Sequence, residues 1–159
     1  MKREVKYLGI LRIVFGFIFI WAFFDKLLGL GFATARDKAW ILGNSSTSGF
    51  LSNVDGFFSG FFKLLAGQAW VDWLFMLGLL FIGLALVLGI AMKIAAYSGS
   101  VLMFLMWLAE LPLANNPLID EHIIYIFVFV LLYKLKTGEM YGFNKKWIKF
   151  TKKYPILNG

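Results

Sequence analysis

Long apolar stretches with few charges divide the chain into four candidate membrane-spanning helices. The clearest is Trp73–Met92, whose 20 residues carry no charge and are long enough to cross about 30 Å of hydrocarbon as a helix. The pattern predicts spans approximately over residues 7–30, 73–92, 94–113 and 119–135. The fourth is the weakest, because its uncharged run covers only 11 residues after His122. It therefore needs Asp120–His122 at the membrane interface or inside the bundle.

The predicted loop between the first two spans, residues 31–72, has two parts of different character. Ala39–Asn53 is polar and small, whereas Phe57–Trp70 is strongly apolar but, at 14 residues, too short to span a bilayer. The second part predicts a re-entrant or interfacial helix. Near the C-terminus, Phe143–Tyr154 alternates Lys with aromatic residues and Ile, which predicts an amphipathic helix on the membrane surface. The expected fold class is all-α: a four-helix transmembrane bundle in a single domain over residues 1–159, with these two additional helices.

Composition supports a membrane protein and removes several kinds of cofactor. The chain is 60% hydrophobic and 16% charged, against about 45–50% and 25% in soluble domains, which excludes soluble globular, disordered and coiled-coil classes. It has no Cys, a single His and no Gly-rich dinucleotide-binding loop after a predicted strand. We therefore expect no haem, iron–sulfur cluster or nucleotide cofactor, and no metal site within one chain.

The distribution of basic residues predicts the orientation. The N-terminus, the short turn at Lys93 and the C-terminal tail together hold twelve Lys/Arg, whereas the opposite side holds four. By the positive-inside rule both termini are expected in the cytoplasm, with the chain crossing the cell membrane several times. The net charge of +7 then reflects topology and attraction to the lipid bilayer, and nucleic-acid binding is not expected.

Ionisable residues near the ends of the spans are the candidates for chemistry, because a charge in lipid is costly. They cluster toward the predicted outer side, where Lys26, Glu110, Asp120 and His122 are candidate proton-transfer residues. The alternative is structural: Asp25 and Lys26 cap a helix end, Glu110 pairs with Lys26, and residues 116–120 cap the fourth helix. Arg12 is predicted to extend toward the lipid headgroups as an anchor.

Much of the chain resembles a known family of membrane proteins. The more specific parts are the Asp25-Lys26 pair and the run Asn116-Pro117…Asp120-x-His122. With the surrounding segments, they resemble the DoxX-like membrane proteins of archaea and bacteria, which are related to the small DoxD subunit of thiosulfate:quinone oxidoreductase. The segments concerned are Phe17–Thr34, Ala39–Leu51, Val71–Ile90 and Leu105–Tyr125. The resemblance implies a four-helix membrane bundle and a component of a quinone-linked redox system.

Three functions are consistent with these observations. In the first, the chain is a quinone-interacting subunit with catalytic residues Asp120, His122, Glu110 and Lys26, and with quinone as cofactor. Because the chain has no electron carrier of its own, oxidation of a substrate then needs a partner oxidoreductase subunit or direct electron transfer to the bound quinone. The residues expected around the quinone are Asp25, Trp107, Phe23, Phe127 and Asn116. The second function is a non-catalytic scaffold that binds a partner through the outer loop, and the third is a small transporter or lipid-binding bundle. Glycine-lined helix faces also permit a homo-oligomer.

Overall fold

The computed structural model describes residues 3–154. Met1, Lys2 and residues 155–159 lie outside this part, and with them part of the predicted basic N-terminus. The described residues form seven α-helices and three single-turn 3-10 helices, with no β-strand. The α-helices are α1 (Arg3–Leu28), α2 (Ser48–Leu51), α3 (Ser59–Leu65), α4 (Ala69–Leu88), α5 (Met92–Glu110), α6 (Glu121–Lys134) and α7 (Asn144–Phe150). The all-α prediction is confirmed.

Three of these helices are long and apolar enough to cross a membrane: Lys6–Leu28 within α1, α4 and α5. This confirms a membrane protein with several candidate spans. The fourth predicted span is represented by α6, which has 14 residues and is about 21 Å long at the usual helical rise. It is therefore shorter than the roughly 30 Å of hydrocarbon that a spanning helix must cross.

The four longest helices pack side by side with alternating direction. Helix α1 lies along α4 and α5 along α6, while α4 also contacts α5. Aromatic rings connect the two pairs, because Phe15 of α1 meets Phe129 of α6 edge to face, with ring centroids 4.8 Å apart. At Gly99 of α5 the absence of a side chain makes room for the Phe129 ring. The buried core between the helices consists mainly of Phe, Leu, Ile and Met side chains.

Alternating direction gives the molecule two distinct ends. We call the end that holds the start of α1, the end of α4 and helix α7 the terminal end. The opposite end, called the loop end, holds the end of α1, the start of α4, the end of α5 and the start of α6, together with the segment between α1 and α4. The ionisable residues proposed for chemistry lie at the loop end.

Glycines in the left-handed backbone region account for two differences from the predicted boundaries. Gly89 has φ 66° and ends α4, so this helix covers 69–88 in place of the predicted 73–92. Gly67 has φ 74° and interrupts the predicted helix over 57–70. That segment contains the separate seven-residue helix α3 and only the first two residues of α4. The C-terminal helix is confirmed but spans only Asn144–Phe150.

Arg12 does not extend toward the lipid headgroups as the sequence predicts, because its side chain is fully buried. The guanidinium donates hydrogen bonds to the carbonyls of Leu86 and Val87 at the end of α4, and of Met140 and Tyr141 before α7. The last carbonyls of a helix lack partners within the helix and carry its negative dipole end, so they stabilise a buried cation. Arg12 therefore joins three segments at the terminal end.

We predict that Arg12→Met destabilises the protein by about 2–4 kcal/mol, since hydrogen bonds to a charged group contribute about 1.5–3 kcal/mol each and water will reach only some of the freed carbonyls. Unfolding in mixed detergent micelles, monitored by circular dichroism, measures the change. The matched control is Lys134→Met, which removes an exposed cation at the same end and should shift stability by less than about 0.5 kcal/mol. Equal effects of the two substitutions would contradict the assigned role of Arg12.

Candidate functional site

Three of the four predicted catalytic residues come together where α5 ends and α6 begins. Glu110 is the last residue of α5, Asp120 precedes α6, and His122 lies in the first turn of α6. One side-chain oxygen or nitrogen from each lies within 4.8 Å of the others. We call these three residues the acidic–histidine cluster. Its closest contact is 2.8 Å, between His122 Nδ1 and Asp120 Oδ2.

Local backbone geometry explains why Asp120 and His122 are held in this position. Asp120 is the N-cap of α6, and its Oδ1 accepts hydrogen bonds from the backbone N–H groups of His122 and Ile123 at 3.0 and 3.2 Å. A capping carboxylate satisfies N–H groups that have no partner within the helix. Its second oxygen is then directed to the His122 ring. The capping interpretation of Asp120 is therefore confirmed, and the same residue also orients the histidine.

Two residues that are predicted to line a quinone site, Asn116 and Trp107, form hydrogen bonds with the segment before α6. Asn116 Oδ1 accepts the backbone N–H groups of Leu118 and Ile119 at 2.9 and 3.0 Å. Trp107 Nε1 donates to the carbonyl of Leu118 at 3.0 Å. Both side chains thus shape the connection between α5 and α6. Their observed hydrogen bonds fix the segment that carries Asp120 and His122. This is a structural role, whereas the sequence predicts that they contact the quinone directly.

The electrostatics of the pair favour an ionised Asp120. Burial disfavours its charge, but hydrogen bonds from the His122 side chain and from the backbone N–H groups of Ile123 and His122 outweigh burial and hold the pKa of Asp120 below its ordinary value. An ionised carboxylate can only accept, so the proton of the shared hydrogen bond is carried by His122 Nδ1. Nε2 makes no hydrogen bond within residues 3–154, which leaves it for a ligand.

A cavity of about 540 Å³ adjoins the cluster at Glu110. This volume lies within the range of about 300–1,000 Å³ that is usual for small-molecule sites. One wall is formed by the end of α5 and the following residues, including Pro112 and Leu113, and the other by residues 49–50 and 53–56 of the long segment. Glu110 is exposed, lines this cavity and belongs to the cluster, so it connects the two.

The remaining predicted residues lie elsewhere. Lys26 is half-buried, with Nζ 5.7 Å from the ring centroid of Phe75, and no ion pair joins it to Glu110 in the part of the chain that is described. Asp25 is buried and accepts the backbone N–H groups of residues 32 and 33, which closes the turn after α1. Phe23 belongs to the main core, and Phe127 is 69% exposed on the outside of α6.

Asp72 is a buried carboxylate that the sequence analysis did not select. It lies in the first turn of α4 with 5% of its surface exposed. Its Oδ1 accepts the hydroxyl groups of Ser45, Ser46 and Thr47 and the backbone N–H of Thr47, at 2.7 to 3.1 Å. An acid at the start of an apolar span, with a Ser-Ser-Thr run in the preceding loop, is the sequence signal that could have found it.

The acidic–histidine cluster also has the donor atoms for a divalent cation. One imidazole nitrogen and two carboxylates are typical ligands of zinc, iron or manganese, and three protein ligands leave a position open for water or substrate. Glu110, Asp120 and His122 are the residues that would hold such an ion. The expectation that one chain has no metal site stays a prediction.

Comparisons with known proteins add no assignment. No protein-family model matches the chain, and no curated protein or solved structure matches it. The resemblance to DoxX-like proteins therefore stays a prediction. The function has to be argued from the geometry at the loop end.

We predict that Asp120 makes stability depend on pH in the acid range. Because its folded-state pKa is depressed, its contribution is complete above the unfolded-state value of about 4 and is lost as pH falls through the folded-state value. Asn keeps the N-cap hydrogen bonds but resembles the uncharged form of Asp120, so Asp120→Asn should be less stable than wild type at pH 7, and this difference should shrink as pH falls toward 3. Melting temperatures between pH 7 and pH 3 test this.

The control for this series is Asp37→Asn, which neutralises an exposed acid in the same half of the molecule. Its difference from wild type should stay constant over the same range. A constant difference between Asp120→Asn and wild type down to pH 3 would contradict a charged, stabilising Asp120.

Proposed function

We propose that this chain is a quinone-interacting membrane subunit of a redox system, with the acidic–histidine cluster as its proton-handling site. The observation that carries the proposal is the convergence of Glu110, Asp120 and His122 beside a cavity of about 540 Å³. The cluster lies at one end of apolar helices, and the proposal requires that a ligand dissolved in the bilayer reaches it there. The resemblance to DoxX-like proteins supports this function. It also supports an archaeal or bacterial origin of the chain, because the DoxX-like proteins come from these organisms.

Quinone chemistry explains why these three side chains suit the role. Reduction of a quinone to a quinol takes up two electrons and two protons, one at each carbonyl oxygen. The Asp120 carboxylate orients His122 through Nδ1, so Nε2, when it also carries a proton, can donate that proton to a carbonyl oxygen of the ring. The exposed Glu110 provides proton exchange with water.

The electrons in this proposal come from a partner oxidoreductase subunit or a reduced substrate. The chain has no Cys and a single His. The residues proposed for proton transfer are not redox-active, so the electrons need another carrier. The site in this proposal does not include Lys26, Asp25 or Phe23, because their contacts lie away from the cluster. It also does not include Phe127, whose side chain is exposed on the outside of α6.

The topology that goes with this function is a four-helix bundle in the cell membrane, with both termini in the cytoplasm. In this arrangement α6 is a short fourth span, and the polar residues before it lie at the outer interface. The support is the distribution of Lys and Arg along the sequence, with twelve on the predicted cytoplasmic side against four on the opposite side. The cluster then handles protons on the outer side.

We predict that the purified protein in detergent binds a short-chain ubiquinone analogue or menadione saturably, as measured by quenching of tryptophan fluorescence. His122→Ala should weaken binding at least tenfold, because it removes the ring nitrogen that faces a quinone carbonyl oxygen. Glu110→Gln should have a smaller effect on binding, because the amide keeps a polar group at this position and removes only the charge and the exchangeable proton. Asp120→Asn should weaken it less, since it affects the quinone through the orientation of His122.

The matched control is Asp37→Asn, an exposed acid outside the cluster, which should bind as wild type. Free tryptophan in the same micelles corrects for absorption by the quinone, and melting temperatures show that each variant is folded. Absence of saturable binding would reject the quinone proposal. Saturable binding that all three cluster variants retain would place the quinone elsewhere.

A scaffold function has its own supporting observation. Helix α3 and the two residues before it expose large apolar side chains, with Phe57 80%, Phe61 58% and Leu64 75% exposed. Such a patch fits burial in a bilayer interface or against a partner protein. Loss of a co-purifying partner in a Phe61→Ser, Leu64→Ser double variant, with quinone binding absent in wild type, would favour this alternative.

A further inference from the structure

Asp72 is a buried carboxylate without a cationic partner. The side-chain ion pairs between residues 3 and 154 are Lys63–Asp55 and His122–Asp120, so no Lys, Arg or His in this part of the chain neutralises Asp72. Burial of an unpaired charge is costly unless hydrogen bonds or a counter-ion compensate for it. The hydrogen bonds are present, but they are distributed unequally over the two oxygens.

All four hydrogen bonds to the Asp72 side chain go to Oδ1. Within residues 3–154, Oδ2 accepts none. Two side-chain polar atoms in residues 3–154 are both fully enclosed and without a hydrogen-bond partner, Arg12 Nε and Asn144 Oδ1. Asp72 Oδ2 is not one of them, so it has some exposed surface. Asp72 lines a cavity of about 200 Å³ at the loop end. The arrangement thus leaves one carboxylate oxygen for a ligand in this cavity.

Two indole rings line the same cavity. Trp40 precedes the Ser-Ser-Thr run and Trp73 follows Asp72 in α4, and their rings meet edge to face with centroids 4.7 Å apart. The face of an indole ring attracts cations, and recognition of ammonium groups by aromatic side chains depends on this attraction. A carboxylate oxygen and two indoles around one small cavity are complementary to an organic cation.

We propose that this cavity, called the Asp72 pocket, binds an organic ammonium group. A volume of about 200 Å³ is below the usual range for drug-sized ligands of about 300–1,000 Å³, so the pocket suits a single head such as trimethylammonium. A metal ion fits less well, because hard cations require several oxygen ligands and one carboxylate oxygen is free. The ammonium group can belong to a small solute or to a lipid headgroup.

This site is independent of the proposed quinone site. It is built by Trp40, Asp72, Trp73 and the loop around Asn44, and it shares no residue with the acidic–histidine cluster. The Ser-Ser-Thr run has a defined role in it. By saturating Oδ1, its hydroxyl groups stabilise the charge of Asp72 and hold the carboxylate in a fixed orientation.

The test uses the full chain in nanodiscs of phosphatidylglycerol, a lipid without an ammonium group. Choline chloride is titrated at constant ionic strength, and 3,3-dimethylbutanol, the neutral isostere of choline, is titrated in parallel. Tryptophan fluorescence and the melting temperature report binding. We expect saturable binding of choline at least tenfold tighter than that of the isostere, because only choline is attracted by the carboxylate and the indole faces.

Two variants probe the pocket against a matched control. Asp72→Asn keeps an acceptor for the Ser and Thr hydroxyl groups but removes the charge, and should weaken choline binding at least tenfold. Trp73→Leu should weaken it several-fold. Trp70→Leu removes an indole of similar exposure in the same helix, 60% against 56%, that does not line the pocket, and should leave binding unchanged.

A second arm identifies the source of the ammonium group. In phosphatidylcholine nanodiscs, a lipid headgroup in the pocket would compete with free choline and lower its apparent affinity for wild type; an unchanged affinity would indicate a soluble ammonium compound. The proposal is overturned if choline binds no better than its isostere, or if Asp72→Asn binds choline as wild type does. If Asp72→Asn does not fold, equal binding by Trp73→Leu and Trp70→Leu overturns it.

Discussion

The buried guanidinium of Arg12 imposes the strongest constraint on this fold. A charge in the apolar interior is tolerated only where polar groups replace water, and here four backbone carbonyls do so. They come from the end of α4 and from the segment before α7, so α1 can pack only where both reach it. The backbone around the guanidinium is close, because a Cβ at Gly89 would lie 2.8 Å from Arg12 Nη1 and one at Gly142 would lie 3.1 Å from Nη2. Small residues and one cation together define the terminal end.

At the loop end, three aspartates perform the equivalent structural task with the opposite charge. Asp25, Asp72 and Asp120 each accept backbone N–H groups where a helix ends or begins. Asp25 uses both oxygens for this purpose. Asp72 and Asp120 use one oxygen for this purpose; the second oxygen of Asp120 accepts a hydrogen bond from His122, and Asp72 lines a cavity. Both proposed sites therefore arise from groups that also stabilise the fold.

The candidate site could be predicted in part from single residues near the span ends. Glu110, Asp120 and His122 were accessible to this reasoning because a connection of ten residues brings the end of α5 close to the start of α6. The charge of Lys26 and its position near the end of the first span predict that it lies with them, whereas packing directs it to Phe75 of α4. Asp72 was missed because its partners lie about 25 positions away in the chain, and no local pattern connects them.

The sequence by itself determined that the protein is helical and membrane-embedded, and approximately where its long helices lie. These properties depend on local composition, since the thickness of the hydrocarbon core sets the length and apolarity of a spanning segment. Tertiary structure alone decided which polar groups meet. Arg12 finds its acceptors 74 to 129 positions away, and glycines such as Gly67 and Gly89 decide where each helix stops. Such contacts depend on how the helices pack against each other, and that information lies in the shapes of many side chains at once.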